Sequence, residues 1–137
     1  MRKIDTEIRV RYKETDRMGI VHHSNYYVYF EIGRTEFMRS MGFPYREMEE
    51  KGYMMPIVET HCHYKMPAQD DDQLIISTKM TKFKGARVVL EYEIIKKDDG
   101  TLLAYGSTVQ AITDSNLKPI NIKKKCPIIY ENFMKCI

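Results

Sequence analysis

Apolar and polar positions follow two different periods along this chain. Between Ile4 and Tyr12 apolar or neutral residues alternate with charged ones, which predicts a half-buried β-strand. From Tyr26 to about Met41 large residues recur at spacings of three and four, which predicts one helix with a packed face. Other large residues lie around that face, so we expect this helix to be enclosed by another part of the chain. The residues of the packed face are Tyr26, Tyr29, Phe30, Gly33, Phe37 and Met41.

From Tyr53 onward the period changes to two. Strands are predicted at 57–65, 74–83, 87–96 and 102–113. The turn Lys84-Gly85 joins the predicted strands 74–83 and 87–96. Asp98-Asp99-Gly100, a strong hairpin signal, joins strands 87–96 and 102–113. Gly42 is predicted to end the long helix, and shorter helices are predicted at 45–51 and 128–134. One strand, one long helix and four strands indicate an α+β fold with an antiparallel five-stranded sheet that can curl around the helix.

Length and charge exclude several classes of protein. The 137 residues predict a single domain over 1–137, with enough chain for one core. A net charge of +3, from 22 basic and 19 acidic residues, does not indicate a nucleic-acid-binding protein. No apolar stretch has the length of a signal peptide core or a membrane span. Cys62, Cys126 and Cys136 are spaced like neither a zinc site nor a disulfide framework, which predicts a cytoplasmic location.

The candidate chemistry lies just before the long helix. Asp16 precedes Gly19, which allows a tight turn, and a helix cap is predicted at Ser24 or Asn25. The N–H groups at the positive end of a buried helix can polarise a carbonyl, and a carboxylate can attack that carbonyl or activate water. The alternative is that Asp16 only bonds its own loop, which is common for aspartate in turns.

The four histidines are further candidates. His22 or His23 could orient water or bind a carbonyl, or either could be a structural loop residue. Neither has a third and fourth ligand at a recognisable spacing, so no metal site is predicted. His61 and His63 share one face of a strand, which favours a surface or core pair over a metal site. Glu31 and Arg34 stand three apart on the helix, which predicts an ion pair.

The run TDRMGIVHHSNYYVYFEIGR, from Thr15 to Arg34, resembles the signature of the 4-hydroxybenzoyl-CoA thioesterase group of hotdog-fold proteins. It is most similar to the YbgC-like acyl-CoA thioesterase branch. The resemblance continues through MPAQDDD at 66–72, KFKGARVV at 82–89 and a last strand ending near Thr113. It therefore implies a hotdog fold, in which an antiparallel five-stranded sheet wraps around one long central helix.

The resemblance also implies roles for individual residues. Asp16 corresponds to the catalytic acid, as nucleophile or general base, and the amide near His23 to the group that faces the thioester carbonyl. His23 therefore ranks above His22 as a catalytic residue. Supporting roles at the helix start fall to Gly19, His22, Ser24 and Asn25. The turn that would bind the phosphates of coenzyme A comprises Lys82, Lys84, Gly85 and Arg87, although a basic hairpin is often merely solvated.

The function so implied is hydrolysis of acyl-CoA to free acid and coenzyme A without a cofactor. Short or medium aliphatic acyl groups are favoured over aromatic ones. The alternatives are an acyl carrier protein thioesterase and a non-catalytic protein that binds acyl thioesters or assists an assembly. A hotdog hydratase or dehydratase is disfavoured because its paired Asp/His motif has a different spacing. The resemblance further implies a homodimer or homotetramer with the active site at the subunit interface, which would also cover a free sheet edge.

Overall fold

The computed structural model describes all residues 1–137, and its elements form one antiparallel sheet with helices packed on it. All five strands belong to this sheet in the order β1-β3-β4-β5-β2, which confirms the predicted α+β class. The strands are β1 (Lys3–Arg9), β2 (Ile57–Tyr64), β3 (Gln73–Lys84), β4 (Arg87–Lys96) and β5 (Leu102–Ala111). The α-helices are α1 (Asn25–Ser40), α2 (Tyr45–Glu50), α3 (Ile122–Lys125) and α4 (Pro127–Met134). None of them combines the length and apolar character that a membrane crossing requires.

Two strands end earlier in the structure than the sequence pattern predicts. β1 ends at Arg9, and Tyr12–Glu14 form a short 3₁₀ helix in which Tyr12 is 80% exposed. The alternation that predicted a strand up to Tyr12 therefore extends into a turn. β5 ends at Ala111, after which Thr113 makes only isolated bridges to Met54 and Pro119. Gly42, by contrast, follows α1 with a φ of +86°, as predicted for a glycine that ends a helix.

The core is built on the buried face of α1, which contacts β1, β2, β3 and β4. The buried residues of the helix are Tyr26, Tyr29, Phe30, Gly33, Phe37 and Met38. Phe30 stacks on Tyr92 of β4, with ring centroids 4.4 Å apart. At Gly33 the helix backbone comes so close to β3 that a Cβ would lie 2.5 Å from Thr78 Oγ1 and 2.7 Å from Ile76 Cγ2. The helix can therefore lie at this depth only because position 33 has no side chain.

The C-terminal segment completes this core. α4 buries Ile129 and Phe133, and the Phe133 ring meets Phe83 edge-on at 5.2 Å. Asn132 Nδ2 donates to the carbonyl of Met41 at 3.3 Å, just beyond α1. The segment after β5 is thus part of the packed domain.

The two edge strands of the sheet differ in character. β1 carries Lys3, Asp5, Glu7 and Arg9 at alternate positions, and its neighbours include the charged Glu36 and Arg39 of α1. β2 has a single carboxylate, Glu59, and exposes Ile57, Val58 and Tyr64 by 38%, 46% and 48%. Charged side chains on an edge discourage pairing with another chain, whereas an exposed apolar edge invites it.

Replacing Gly33 by alanine is expected to lower the free energy of unfolding by about 1–3 kcal/mol, because the new methyl group must displace Thr78 and Ile76. Urea titration followed by circular dichroism measures this loss. Glu31→Ala, at an exposed position of the same helix, serves as the control and should stay within about 0.5 kcal/mol of wild type. Equal effects from the two substitutions would contradict the close approach at Gly33.

Candidate active site

Asp16 and His23 line the same cleft, beside the start of α1. The cleft has a volume of about 340 Å³ and a mainly apolar wall. Its other lining residues are Met18, Ile20, Val21, Tyr26, Tyr64, Lys65, Met66 and Pro67. The loop before α1 thus supplies one side, and the end of β2 with the residues after it supplies the other. A small number of polar groups in an apolar cleft is typical of a small-molecule site.

Asp16 is held by the turn that Gly19 makes possible. The Gly19 N–H donates to the Asp16 carbonyl at 3.0 Å, and the Asp16 N–H donates to the Ile20 carbonyl at 2.9 Å. Gly19 has a φ of +78°, which favours glycine. The carboxylate accepts the Met18 N–H at Oδ1, 2.8 Å away, while Oδ2 accepts no hydrogen bond from the chain. The acid therefore bonds its own loop with one oxygen and keeps the other available.

The start of α1 offers a free backbone donor. Ser24 occupies the N-cap position, but its side chain makes no capping hydrogen bond. Its hydroxyl instead lies 2.8 Å from His22 Nδ1, and its N–H donates to the same nitrogen at 3.3 Å. The N–H of His23 has no acceptor within the chain. It is therefore available to an acceptor from outside the chain.

The four histidines lie in two different places. His23 lines the cleft and meets Tyr64 edge-on, with centroids 6.3 Å apart. His22 stacks on His23 at 4.3 Å but does not line the cleft. His61 and His63 are exposed on one face of β2, where His61 Nε2 lies 3.6 Å from Glu59 Oε1. A surface or core pair was predicted at 61 and 63, and in the structure both histidines lie at the surface.

Aromatic rings form a continuous wall behind the cleft. Tyr26 meets Tyr64 edge-on at 5.2 Å and Tyr29 at 5.8 Å. The Tyr26 hydroxyl accepts the Ala68 N–H at 3.4 Å, which joins α1 to the loop between β2 and β3. Burial raises the pKa of Tyr26, so its hydroxyl stays protonated at neutral pH. This wall is neutral as well as largely apolar.

The sequence did not single out Glu14, a buried acid two residues before Asp16. Its carboxylate accepts hydrogen bonds from the Arg11 backbone N–H and the Tyr29 hydroxyl, each at 2.9 Å, and is paired with the Arg11 guanidinium at 3.2 Å. Burial raises the pKa of Glu14, but these hydrogen bonds and the Arg11 charge outweigh it and hold the pKa below its usual value. The three-residue spacing from Arg11 is a weak local signal of this arrangement. The sequence gives no sign of the contact with Tyr29.

Asn25 is the first residue of α1, and of the two residues predicted as the helix cap it is Ser24 that takes the N-cap position. The side-chain N–H of Asn25 donates to the carbonyl of Glu14 at 2.9 Å. Asn25 therefore joins the helix to the preceding loop.

The basic residues predicted to bind phosphates lie at a second cleft. Lys82, Lys84 and Arg87 line a space of about 270 Å³ together with Glu59, Val89 and Val109. Arg87 Nη1 is 3.9 Å from Glu59 Oε2, and Gly85 makes the turn with a φ of +63°. Glu59 is near one end of β2 and Tyr64 is at the other, so a single chain does not bring this turn to the Asp16 cleft.

The predicted ion pair between Glu31 and Arg34 is wrong. The two side chains form no salt bridge, whereas Arg39 and Glu36 pair one turn later. Arg34 lies instead near Tyr45 and Tyr92, where burial raises both tyrosine pKa values and the Arg34 charge opposes that rise. Helical spacing alone could not show that Arg34 is directed toward α2 and the sheet.

The chain is similar to known proteins over most of its length. Residues 10–129 match the model of the thioesterase-like superfamily. YneP of Bacillus subtilis is 36% identical over 121 residues, which cover 88% of each chain. The acyl-CoA thioesterase YbgC of Haemophilus influenzae is 31% identical over 121 residues, covering 86% of this chain and 87% of its own. The crystal structure of a DHNA-CoA thioesterase from Staphylococcus aureus superposes with a TM-score of 0.92 at 32% identity, covering 97% of this chain and 89% of the other.

Proposed function

Because this chain belongs to the thioesterase-like superfamily, we propose that it is an acyl-CoA thioesterase, which hydrolyses acyl-CoA to a free acid and coenzyme A. The observation that carries this proposal is the pairing of two unused groups at one cleft. One is the Oδ2 oxygen of Asp16, and the other is the N–H of His23 at the start of α1. Thioester hydrolysis requires both a group that delivers oxygen to the carbonyl and a donor for the oxyanion that forms.

Two mechanisms use this arrangement. In the first, Asp16 attacks the carbonyl carbon, the C–S bond breaks, coenzyme A leaves as the thiol after protonation, and water hydrolyses the resulting anhydride. In the second, Asp16 takes a proton from water as the water attacks the same carbon, the C–S bond breaks, and the proton passes to the sulfur of the departing coenzyme A. In both, the His23 N–H and the positive end of α1 stabilise the negative charge on the carbonyl oxygen. The His23 ring, at the wall of the cleft, would orient the acyl group or water.

The cleft favours an acyl group with an apolar chain over one with a polar chain, because its wall is mainly apolar. Short or medium aliphatic chains remain the preferred substrates. An aromatic acyl group is the second candidate, supported by the edge-on rings of Tyr26 and Tyr64. An acyl carrier protein could present the same thioester in place of coenzyme A. The three free cysteines support the cytoplasmic location that belongs to this proposal.

The proposed assembly is a homodimer, or a tetramer of two dimers, formed through β2. β2 is an open edge that has one carboxylate and exposes Ile57, Val58 and Tyr64, whereas β1 carries charges at alternate positions. Tyr64 ends β2 and lines the Asp16 cleft, so a partner paired along β2 would reach the active site. Antiparallel pairing would also bring the partner's basic turn toward this cleft. Contact of α1 with four strands supports the hotdog arrangement, in which the sheet curls around that helix.

Asp16→Asn is expected to lower kcat by about 10²–10⁴-fold, because an amide can neither attack nor act as a general base at neutral pH. The measurement is thiol release from a panel of acyl-CoA substrates, acetyl to palmitoyl together with benzoyl derivatives. Asp70→Asn is the matched control, since Asp70 is exposed and its side chain makes no hydrogen bond. Wild-type turnover that survives in Asp16→Asn would exclude the proposed role of Asp16.

Removing two charges from the basic turn tests its role in binding phosphates. The double variant Lys84→Ala/Arg87→Ala is expected to raise KM for acyl-CoA by about tenfold or more, as charge-assisted hydrogen bonds are lost. KM for the matching S-acyl pantetheine, which lacks the nucleotide, should not change. Lys51→Ala, at an exposed lysine outside both clefts, is the control. A parallel rise in both KM values would exclude specific nucleotide binding.

A charged side chain on the β2 edge tests the proposed dimer. Val58→Lys is expected to shift the protein toward the mass of a single chain in sedimentation equilibrium, because an edge lysine opposes strand pairing. Asp5→Lys introduces the same side chain on the opposite edge and should leave the mass unchanged. A Val58→Lys protein that keeps the wild-type mass would show that β2 is not the interface.

A further inference from the structure

Glu14 holds a charge at a place where charge is costly. Only 7% of the residue is exposed, although a carboxylate in an apolar environment normally requires several donors. The side chain accepts four hydrogen bonds, three from Arg11 and one from Tyr29, with lengths between 2.9 and 3.3 Å. Arg11 also neutralises its charge. These hydrogen bonds and the ion pair therefore stabilise the buried Glu14 carboxylate without a bound ligand.

The same residue binds α1 at two points. Its side chain accepts the hydroxyl of Tyr29, in the second turn of the helix. Its carbonyl accepts the Asn25 side-chain N–H at 2.9 Å, at the first residue of the helix. That carbonyl also accepts the His22 N–H at 2.9 Å. Glu14 therefore joins the loop to α1 both at the first residue of the helix and in its second turn.

No other residue of the loop forms a hydrogen bond with α1. Every hydrogen bond between residues 12–21 and α1 involves Glu14. The remaining bonds of the loop are internal, such as Asp16 N–H to Ile20, or run to the β2–β3 loop, such as Val21 N–H to Ala68 at 2.8 Å. Without the Glu14 side chain, the loop would lose its hydrogen bond to Tyr29 and keep only the bond from Asn25 to the backbone carbonyl of residue 14.

The hydrogen bonds of Glu14 lie between the two groups of the proposed mechanism, the Asp16 carboxylate and the His23 N–H. Asp16 follows Glu14 by two residues, and the free N–H belongs to His23, directly after the His22 amide that Glu14 binds. The distance between the carboxylate and the oxyanion donor therefore depends on the hydrogen bonds of Glu14. An error of about 1 Å in such a distance can cost about 10²-fold in rate.

We propose that Glu14 is a positioning residue, which sets Asp16 against the start of α1 through its bonds to Tyr29, Asn25 and His22. This role rests on the proposed thioesterase function. Glu14 does not touch the substrate, because it does not line the cleft. It acts on kcat through geometry, and its contribution to substrate binding is small.

Tyr29→Phe tests the role with the least disturbance, because it removes one hydroxyl and leaves the ring and the Arg11–Glu14 pair in place. The expected result is a fall in kcat of about ten- to a hundredfold with little change in KM. Tyr92→Phe is the matched control. Tyr29 and Tyr92 are 1% and 2% exposed, and each hydroxyl makes one buried hydrogen bond, Tyr92 with Thr108 at 2.7 Å. The two variants should lose similar stability, but only Tyr29→Phe should lose kcat.

A second readout does not depend on turnover. Hydrogen exchange followed by NMR should show the His22 amide, which donates to Glu14, exchanging at least tenfold faster in Tyr29→Phe and unchanged in Tyr92→Phe. Wild-type kcat and exchange in Tyr29→Phe would overturn the proposal, as would equal losses of kcat in the two variants. Absence of thioesterase activity in the wild type would refute the proposed function instead, and exchange would still report whether the link to α1 exists.

Discussion

The close contact between α1 and the sheet is the constraint on which the rest of this structure depends. Gly33 brings the helix backbone against β3, and the stacked rings of Phe30 and Tyr92 fill the space beside it. The depth of the helix determines where its first residue lies relative to the loop between β2 and β3. The cleft is the space left between these two parts, so its position follows from packing in the core.

Sequence patterns predicted the elements well and their ends less well. Alternation could not show that the chain leaves the sheet after Arg9, because the same spacing of apolar residues continues into the 3₁₀ turn at Tyr12. The helix and its packed face were predictable since a period of 3.6 is repeated over four turns. The hydrogen-bonded order β1-β3-β4-β5-β2, in contrast, depends on long-range pairing that no local pattern contains.

The same distinction applies to the site. Asp16, Gly19 and His23 stand close together in the sequence, so their common location could be predicted from one motif. Glu14 was missed because its decisive partner, Tyr29, is fifteen residues away and belongs equally to the predicted core face. The ion pair of Arg34 was predicted wrongly for a related reason, since helical spacing describes neighbours on a helix and not the elements packed against it.

The difference between the two sheet edges has a consequence for how far any assembly through the sheet can grow. A strand pairing that uses β2 consumes the one edge without a row of charges, and the charged β1 edges would then stand at both outer ends. Growth of the sheet itself would then stop at two copies related by a twofold axis, whether or not two such dimers associate through other surfaces. In such a dimer the charges of β1 would oppose the edge-to-edge aggregation to which open β-sheets are prone.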